Sequence, residues 1–402
     1  MKTAKRILVL STYPIAGANS GGQLRVKAIV DAYREAFTEV KHVGIYARDN
    51  YPYHFAADDI RIGGELGAKI LADGMMADVR VPEAIVADAD LRAQVRELLV
   101  SFRPDVVAFE QPYLYLGLHG LLNELPVRPQ IVHSSQNVEH LLKPEIMRGL
   151  GYSEPIVEAM AGLVREVETE LCATAAVTAV VGPADAAVLA ELGASRVVLA
   201  PNGVSRKETD REDVLAWEHE LRTRGISSYA LFVGSAHPPN LSGFRTMVTT
   251  ALGYVPRGSA IVVAGGVGDM LQRSLRGDSL ADVTAHRRLV VAGRVSDARL
   301  QSMLARAAAV LLPITEGGGS NLKTAKAVIS GRPIVGTSIA FRAFEELMSL
   351  PGVTIADDPA AFRAAVARAL VAPSLGLERP AVAESVLWEN CLSDLVEAVR
   401  AL

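Results

Sequence analysis

The run Val310-Leu311-Leu312-Pro313-Ile314-Thr315-Glu316-Gly317-Gly318-Gly319-Ser320-Asn321-Leu322-Lys323-Thr324-Ala325 decides how this chain is read. An apolar strand, Val310 to Pro313, ends in a polar bend. Three glycines follow, a helix begins near Asn321, and a second apolar strand resumes at Ile334 to Gly336. Glycines let a bulky anion approach the backbone. The unsatisfied N–H groups of a helix start, with the helix dipole behind them, favour a phosphate there. Lys323 adds a full positive charge one turn in. A tight turn capped by Ser320 or Asn321 is the plainer alternative, but it has no need of three glycines. The run is not a P-loop, because Leu322 stands where that motif needs glycine before the lysine. Nor does a dinucleotide fingerprint survive. Ala264-Gly265-Gly266-Val267-Gly268 follows a strand, yet Leu271 occupies the last glycine position, so this is read as a glycine-rich turn.

Working outward, the same alternation fills the chain. Strands are expected at Ile7–Ser11, Val40–Ala47, Asp105–Glu110, Gln130–Ser134, Val177–Val181 and Val197–Leu199, with helices at Leu24–Phe37, Leu91–Phe102, Ile156–Ala173 and Ala184–Leu192. The pattern breaks around Pro201-Asn202-Gly203, and a polar segment runs from Ser205 to Ser228. Strands then restart at Leu231–Gly234, Ile261–Ala264 and Leu289–Ala292, ahead of the two already named. Near-continuous apolar strands between helices indicate parallel sheets covered on both faces. The fold class is therefore α/β, with two Rossmann-like parallel-sheet domains, expected at residues 1–204 and 205–382, and a terminal helix at 383–402. Ligands in such sheets sit beyond the carboxyl ends of the strands. Two facing domains make the cleft between them the natural site.

Composition narrows the function classes. Of 402 residues half are apolar, so a disordered chain is excluded. Lys and Arg number 41 against 45 Asp and Glu, a net charge of −4, which gives no overall field for nucleic acid. Two cysteines, Cys172 and Cys391, exclude a disulfide framework and fit a reducing, cytoplasmic setting. Lys2, Lys5 and Arg6 before Ile7-Leu8-Val9-Leu10 mimic a signal peptide, but the apolar run is short and is read as the first strand. No apolar run reaches membrane-spanning length.

Three further clusters draw attention. Gly21-Gly22 precedes a helix carrying Arg25 in its first turn, where a cation is unfavourable unless it meets an anion. His133-Ser134-Ser135-Gln136-Asn137-Val138-Glu139-His140 collects polar groups at a strand end, as does Glu110-Gln111. Asp88-Ala89-Asp90 has the spacing of a metal motif but precedes an amphipathic helix, so it is read as that helix's cap.

Assembled, these motifs resemble a family 4 glycosyltransferase of the GT-B fold, the glycosyl transferases group 1. The most specific piece is Glu316 to Pro333, joined by Phe232-Val233-Gly234-Ser235 with Pro239-Asn240, Gly293-Arg294-Val295, Gly21-Gly22 with Arg25, and Pro201-Asn202-Gly203-Val204. Asn137-Val138-Glu139 is similar to an H-N-x-E element, and Trp388-Glu389 resembles a terminal helix that crosses back to the first domain. The resemblance implies a nucleotide-diphosphate sugar as co-substrate on the C-terminal domain, an acceptor on the N-terminal domain, retention of configuration, and no metal or other cofactor. It implies donor contacts from Gly21, Gly22, Arg25, Ser235, Asn240, Arg294, Val295, Glu316, Gly318, Gly319, Ser320, Asn321, Leu322, Lys323 and Lys326. Gln136, Asn137, Glu139, His133 and Glu110 would line the acceptor side and carry catalysis. The acceptor, a glycan, lipid-linked sugar or natural product, is not specified, and peripheral membrane contact stays open. Two positions depart from the pattern. Lys326 stands where an acidic residue usually grips the ribose, and a lysine has no acceptor for a diol. Gln136 replaces the histidine of H-N-x-E and cannot serve as an acid or base. A non-catalytic nucleotide-sugar-binding relative and a sugar-nucleotide epimerase are the alternatives.

Overall fold

The computed structural model describes residues 2–18, 20–72, 74–275, 283, 285, 287–316, 322–372 and 381–402. The chain divides into two compact units, Met1–Pro201 with Cys391–Leu402, and Asn202–Asn390.

Unit 1 holds seven strands, β1 (Thr3–Ser11), β2 (Phe37–Ala47), β3 (Ile60–Ile62), β4 (Val106–Glu110), β5 (Gln130–Ser134), β6 (Val177–Val180) and β7 (Val197–Leu199). They lie in the order β3-β2-β1-β4-β5-β6-β7, and every pairing is parallel. Among the described residues unit 2 holds six, β8 (Ser228–Val233), β9 (Ser259–Ala264), β10 (Leu289–Gly293), β11 (Ala309–Leu312), β12 (Ile334–Gly336) and β13 (Val353–Ile355). Their order is β10-β9-β8-β11-β12-β13, again parallel throughout.

Strand β9 shows why these runs are apolar without alternation. Ala260, Val262 and Ala264 pack into one hydrophobic cluster, while Ile261 and Val263 pack into the cluster on the other face. Successive side chains point to opposite faces, and helices cover both, so no position is left for a polar residue.

The chain leaves unit 1 after Pro201 and returns only at Cys391. Residues 383–390 therefore stay with unit 2, tied there by a parallel bridge between Val204 and Leu387. Gly203 permits this approach, since a Cβ there would sit 2.9 Å from the Trp388 nitrogen. The last helix, Ser393–Arg400, joins unit 1, and Lys5 Nζ donates to the carbonyls of Val399 at 3.0 Å and Arg400 at 3.1 Å. A cation on the final carbonyls of a helix complements its dipole. Among the described residues no helix is long and apolar enough to cross a membrane.

Asp88 is a helix cap. Its carboxylate accepts from the Leu91 amide at 2.8 Å and opens the helix Ala89–Phe102. Asp88→Ala is expected to lower unit 1 stability by about 1 kcal/mol, read from a shifted midpoint in urea. An unchanged midpoint would assign the cap no weight.

Candidate functional site

Each sheet reverses its strand order once, between β1 and β4 in unit 1 and between β8 and β11 in unit 2. Crevices at the carboxyl ends of such reversals are where α/β sheets bind ligands.

In unit 2 a cavity of about 170 Å³ opens at the reversal. Val233, Gly234 and Ser235 line it from the end of β8, and Lys323 and Lys326 from the helix Leu322–Ile329. Leu300 and Leu304 give it an apolar wall. Thr324 Oγ1 ties that helix to the Ala340 carbonyl, and Thr337 Oγ1 holds the Ile314 carbonyl at the strand exit. Gly318, Gly319, Ser320 and Asn321 lie outside the described residues.

Lys323 Nζ donates to Asn240 Oδ1. Asn240 is buried, and its Nδ2 donates to the Ser235 carbonyl at 3.0 Å and to Ser235 Oγ at 3.3 Å. The short helix Pro238–Gly243 brings Asn240 there. It can approach because residue 243 is glycine, where a Cβ would fall 2.0 Å from the Pro313 carbonyl oxygen. A neutral amide orients the ammonium without cancelling its charge. Burial pushes the Lys323 pKa down from its ordinary value, so an arriving anion would restore what desolvation takes away. Lys326 follows on the same helix face and is likewise lowered by burial, while Asp297 opposes the shift and Lys207 adds to it.

Other expected donor residues ring this end of the sheet. Leu322 is half-buried against the core and also lines the cavity. Arg294 is exposed just beyond β10, and Val295 packs against the unit's core. Ser235 and Glu316 are exposed. Gly265, in the glycine-rich turn, adopts φ +93, and a Cβ there would lie 2.2 Å from the Gly234 carbonyl oxygen. The turn thus keeps β8 and β9 close where they empty into the crevice.

In unit 1, Ser20 opens the helix Gly21–Ala36 with a capping box to Gln23. A Cβ on Gly22 would lie 2.8 Å from Gln136 Oε1 and 3.1 Å from Tyr13 Oη. Gln136 Nε2 in turn donates to Tyr13 Oη at 2.5 Å. Two motifs far apart in sequence therefore meet, with Tyr13 between them.

Asn137 and Glu139 lead into the helix Glu139–Gly149. Tyr113 Oη donates to Glu139 Oε2 at 2.7 Å, and Asn137 Nδ2 to Oε1 at 3.4 Å. Burial raises the Glu139 pKa, with Tyr113 and Lys143 acting against the rise. The helix start is satisfied by Glu168, which accepts from the amides of Glu139 at 2.8 Å and His140 at 3.0 Å. Beside this, Lys143 donates to Asp78 Oδ2 at 2.9 Å, and Thr12 Oγ1 lies within reach of Asp78 Oδ1 and Gln111 Oε1. Gln111 holds φ +92, a conformation costly for a residue with a Cβ.

The remaining expected residues lie deeper. Glu110 pairs in register with Ser134 on one face of the sheet. It is fully buried, and among the described residues neither carboxyl oxygen has a partner at hydrogen-bond geometry, the Ser134 hydroxyl lying beside it. Burial pushes its pKa up to about 7, opposed by the Arg25 guanidinium and the neighbouring Ser134 hydroxyl. Arg25 is also buried, and its Nη1 donates to the Ala200 carbonyl at 2.6 Å. Glu110 is the first of the charges that act on Arg25. His133, one residue from Ser134, faces the opposite way. Its Nδ1 lies 3.6 Å from Cys172 Sγ, and burial pushes its pKa down to about 4, so the ring is neutral. Glu110 and His133 thus belong to different faces of the sheet.

Reasoning from sequence missed Tyr13, Tyr113, Asp78 and Lys143. Tyr13 could have been found, since it follows the end of β1, where site residues are expected. Asp78 and Lys143 carry no local signal.

Residues 227–371 match the family model described as glycosyl transferases group 1. A search of curated protein sequences finds no match. Solved structures of similar fold are numerous. Anabaena HepE, in complex with UDP and glucose, superposes with a TM-score of 0.61 at 13% identity, over 99% of this chain and 100% of that one. The sucrose-phosphate synthase of Thermosynechococcus elongatus gives 0.62 at 17% identity, over 99% and 94%. The UDP-forming α,α-trehalose-phosphate synthase of Burkholderia vietnamiensis gives 0.58 at 14%, over 100% and 96%. At such identities the likeness is one of fold.

Proposed function

We propose, from the match of residues 227–371 to the glycosyl transferases group 1 family model, that the chain moves a sugar from a nucleoside-diphosphate donor to an acceptor hydroxyl. The observation that carries the reading is Lys323. It is a half-buried cation at the strand-order reversal, steered by the neutral Asn240 into a cavity with apolar walls. In such surroundings a fixed positive charge acts more strongly than in water. It suits the diphosphate, whose negative charge grows as the sugar's anomeric C–O bond breaks. HepE and the trehalose-phosphate synthase, described with UDP or as UDP-forming, support a nucleotide donor by analogy of fold.

The transfer breaks the bond from the anomeric carbon to the phosphate oxygen and forms one to the acceptor oxygen, and the leaving phosphate takes the acceptor's proton. That route needs no separate base and goes with retention of configuration. Lys323, with Arg294 and the amides of Gly318 to Leu322, would do the work otherwise given to a metal. In unit 1, Gln136, Asn137 and Glu139, with Tyr13, would hold the acceptor hydroxyls.

Titration calorimetry with UDP, GDP and ADP tests this. At least one should bind, and Lys323→Ala should weaken it roughly 10- to 150-fold, about 1.5–3 kcal/mol. Unchanged affinity rejects the assignment. Lys326 and Gln136 favour a second reading, a protein that binds the donor without turning it over. It predicts binding with neither transfer nor slow donor hydrolysis, scored by mass spectrometry across acceptors.

A further inference from the structure

We propose that Lys326 is a second anion-binding cation of the unit 2 cavity, and that Lys207 keeps it available by holding Asp297, the carboxylate that acts on Lys326 among the described residues. This rests on the nucleoside-diphosphate reading above. Lys323 and Lys326 are three apart on one helix, and both line the cavity. Residues at that spacing have Cβ atoms about 5–6 Å apart on the same face. Two flexible ammonium groups so placed can meet two adjacent phosphoryl groups, one each.

The charges around Lys326 favour this role. Among the described residues its side-chain ammonium has no hydrogen-bond or ion-pair partner, the backbone carbonyl alone accepting from the Ser330 amide at 3.2 Å. Asp297 is near enough to act on its charge. Asp297 is the first residue of the helix Asp297–Arg306, which Ser296 caps, and its carboxylate is engaged by Lys207, from the segment ahead of the helix Arg211–Thr223. Lys207 holds the Asp297 carboxyl below its ordinary range. Both side chains of that pair are largely exposed. Lys207 is therefore a positioning residue acting through Asp297. Without it, Asp297 can turn toward Lys326 and compete with the ligand. Lys326 itself offers only donors, so it reads acidic groups and not a sugar diol. The cavity should then prefer a nucleoside diphosphate to the monophosphate by more than Lys323 alone provides.

The test uses the full chain, the diphosphate selected from UDP, GDP and ADP, and its monophosphate. Lys326→Gln should weaken the diphosphate about tenfold and the monophosphate less, so that the ratio between them shrinks. Lys326→Met should do the same, and Lys326→Glu should weaken it further. Lys207→Met should weaken diphosphate binding several-fold although it touches no ligand, and the double variant Lys207→Met/Asp297→Asn should restore it. Rescue separates charge competition from a folding defect. A wild-type chain that binds no diphosphate overturns both the functional reading and this inference. If the wild type binds and Lys323→Ala loses affinity, while Lys326→Gln keeps the ratio or Asp297→Asn fails to rescue, the inference alone falls.

Discussion

Arg25→Met is expected to destabilise unit 1 by about 3–5 kcal/mol at pH 8, the usual cost of removing one partner from a buried charged pair. Arg25 and Glu110 are both buried to about 1% exposure. Arg25 is the leading charge that keeps the Glu110 carboxyl ionisable against its own burial. Methionine fills much of the volume but leaves the carboxylate uncompensated and the Ala200 carbonyl without its donor. At pH 5 the loss should be smaller, because Glu110 can then take up a proton and become neutral. Arg25→Met/Glu110→Gln should cost less than the sum of the two single changes. Both tryptophans, Trp217 and Trp388, lie in unit 2, so indole fluorescence will not report on this event. Hydrogen exchange of the β1 and β4 amides will. Equal losses at the two pH values would mean that Glu110 is not what Arg25 compensates.

Much of this architecture was legible because parallel strands buried on both faces leave a simple mark. The run Ala260–Ala264 has no polar residue, and both faces of its sheet are covered. Short edges leave no such mark. Ile60-Arg61-Ile62 and Val353-Thr354-Ile355 are three-residue strands at the rims of their sheets, too brief for any periodicity. The polar segment from Ser205 to Ser228, where the strand–helix pattern breaks, contains the helix Arg211–Thr223. Its buried stripe is narrow, Trp217 and Leu221, and Trp217 is anchored by its indole N–H on Tyr229 Oη at 2.8 Å. At the site, glycines and strand-end polar groups could be read as separate motifs. That Gln136 sits where a side chain on Gly22 would be, or that Asp78 takes Lys143, is set by tertiary packing and has no local signature. Arg25 adds a packing fact that its place at a helix start did not show: it is buried, and Glu110, buried with it, is the first of the charges acting on it.

Replacing Glu110 by glutamine should remove a pH dependence of about 3 kcal/mol from unit 1. In the folded chain its carboxyl titrates at about 7, against an ordinary 4.5, because burial disfavours the charged form. The folded state therefore holds this proton more tightly than the unfolded chain does. Its contribution to stability is complete below about pH 4.5 and is lost as pH rises through about 7. At 1.36 kcal/mol per unit the gap amounts to roughly 3 kcal/mol. The groups that act on Glu110 are Arg25 and Tyr33 on the helix Gly21–Ala36, Tyr13 beyond β1, and Ser134 on β5. Of these Arg25 stays charged, and both tyrosines are pushed above their ordinary range by burial, so none changes charge between pH 4 and 8. His42 and His133 work in the opposite sense. Burial lowers both to about 4, so the stability they contribute is present above about 6.5 and is lost as pH falls through about 4. The raw profile of the wild type therefore mixes opposing slopes. The quantity to measure is the difference between wild type and Glu110→Gln, in which the histidine terms cancel. That difference should move against the wild type between about pH 4.5 and 7 and level off above. A difference that stays flat across pH 4 to 8 would show that the Glu110 carboxylate is stabilised by something other than the groups packed around it.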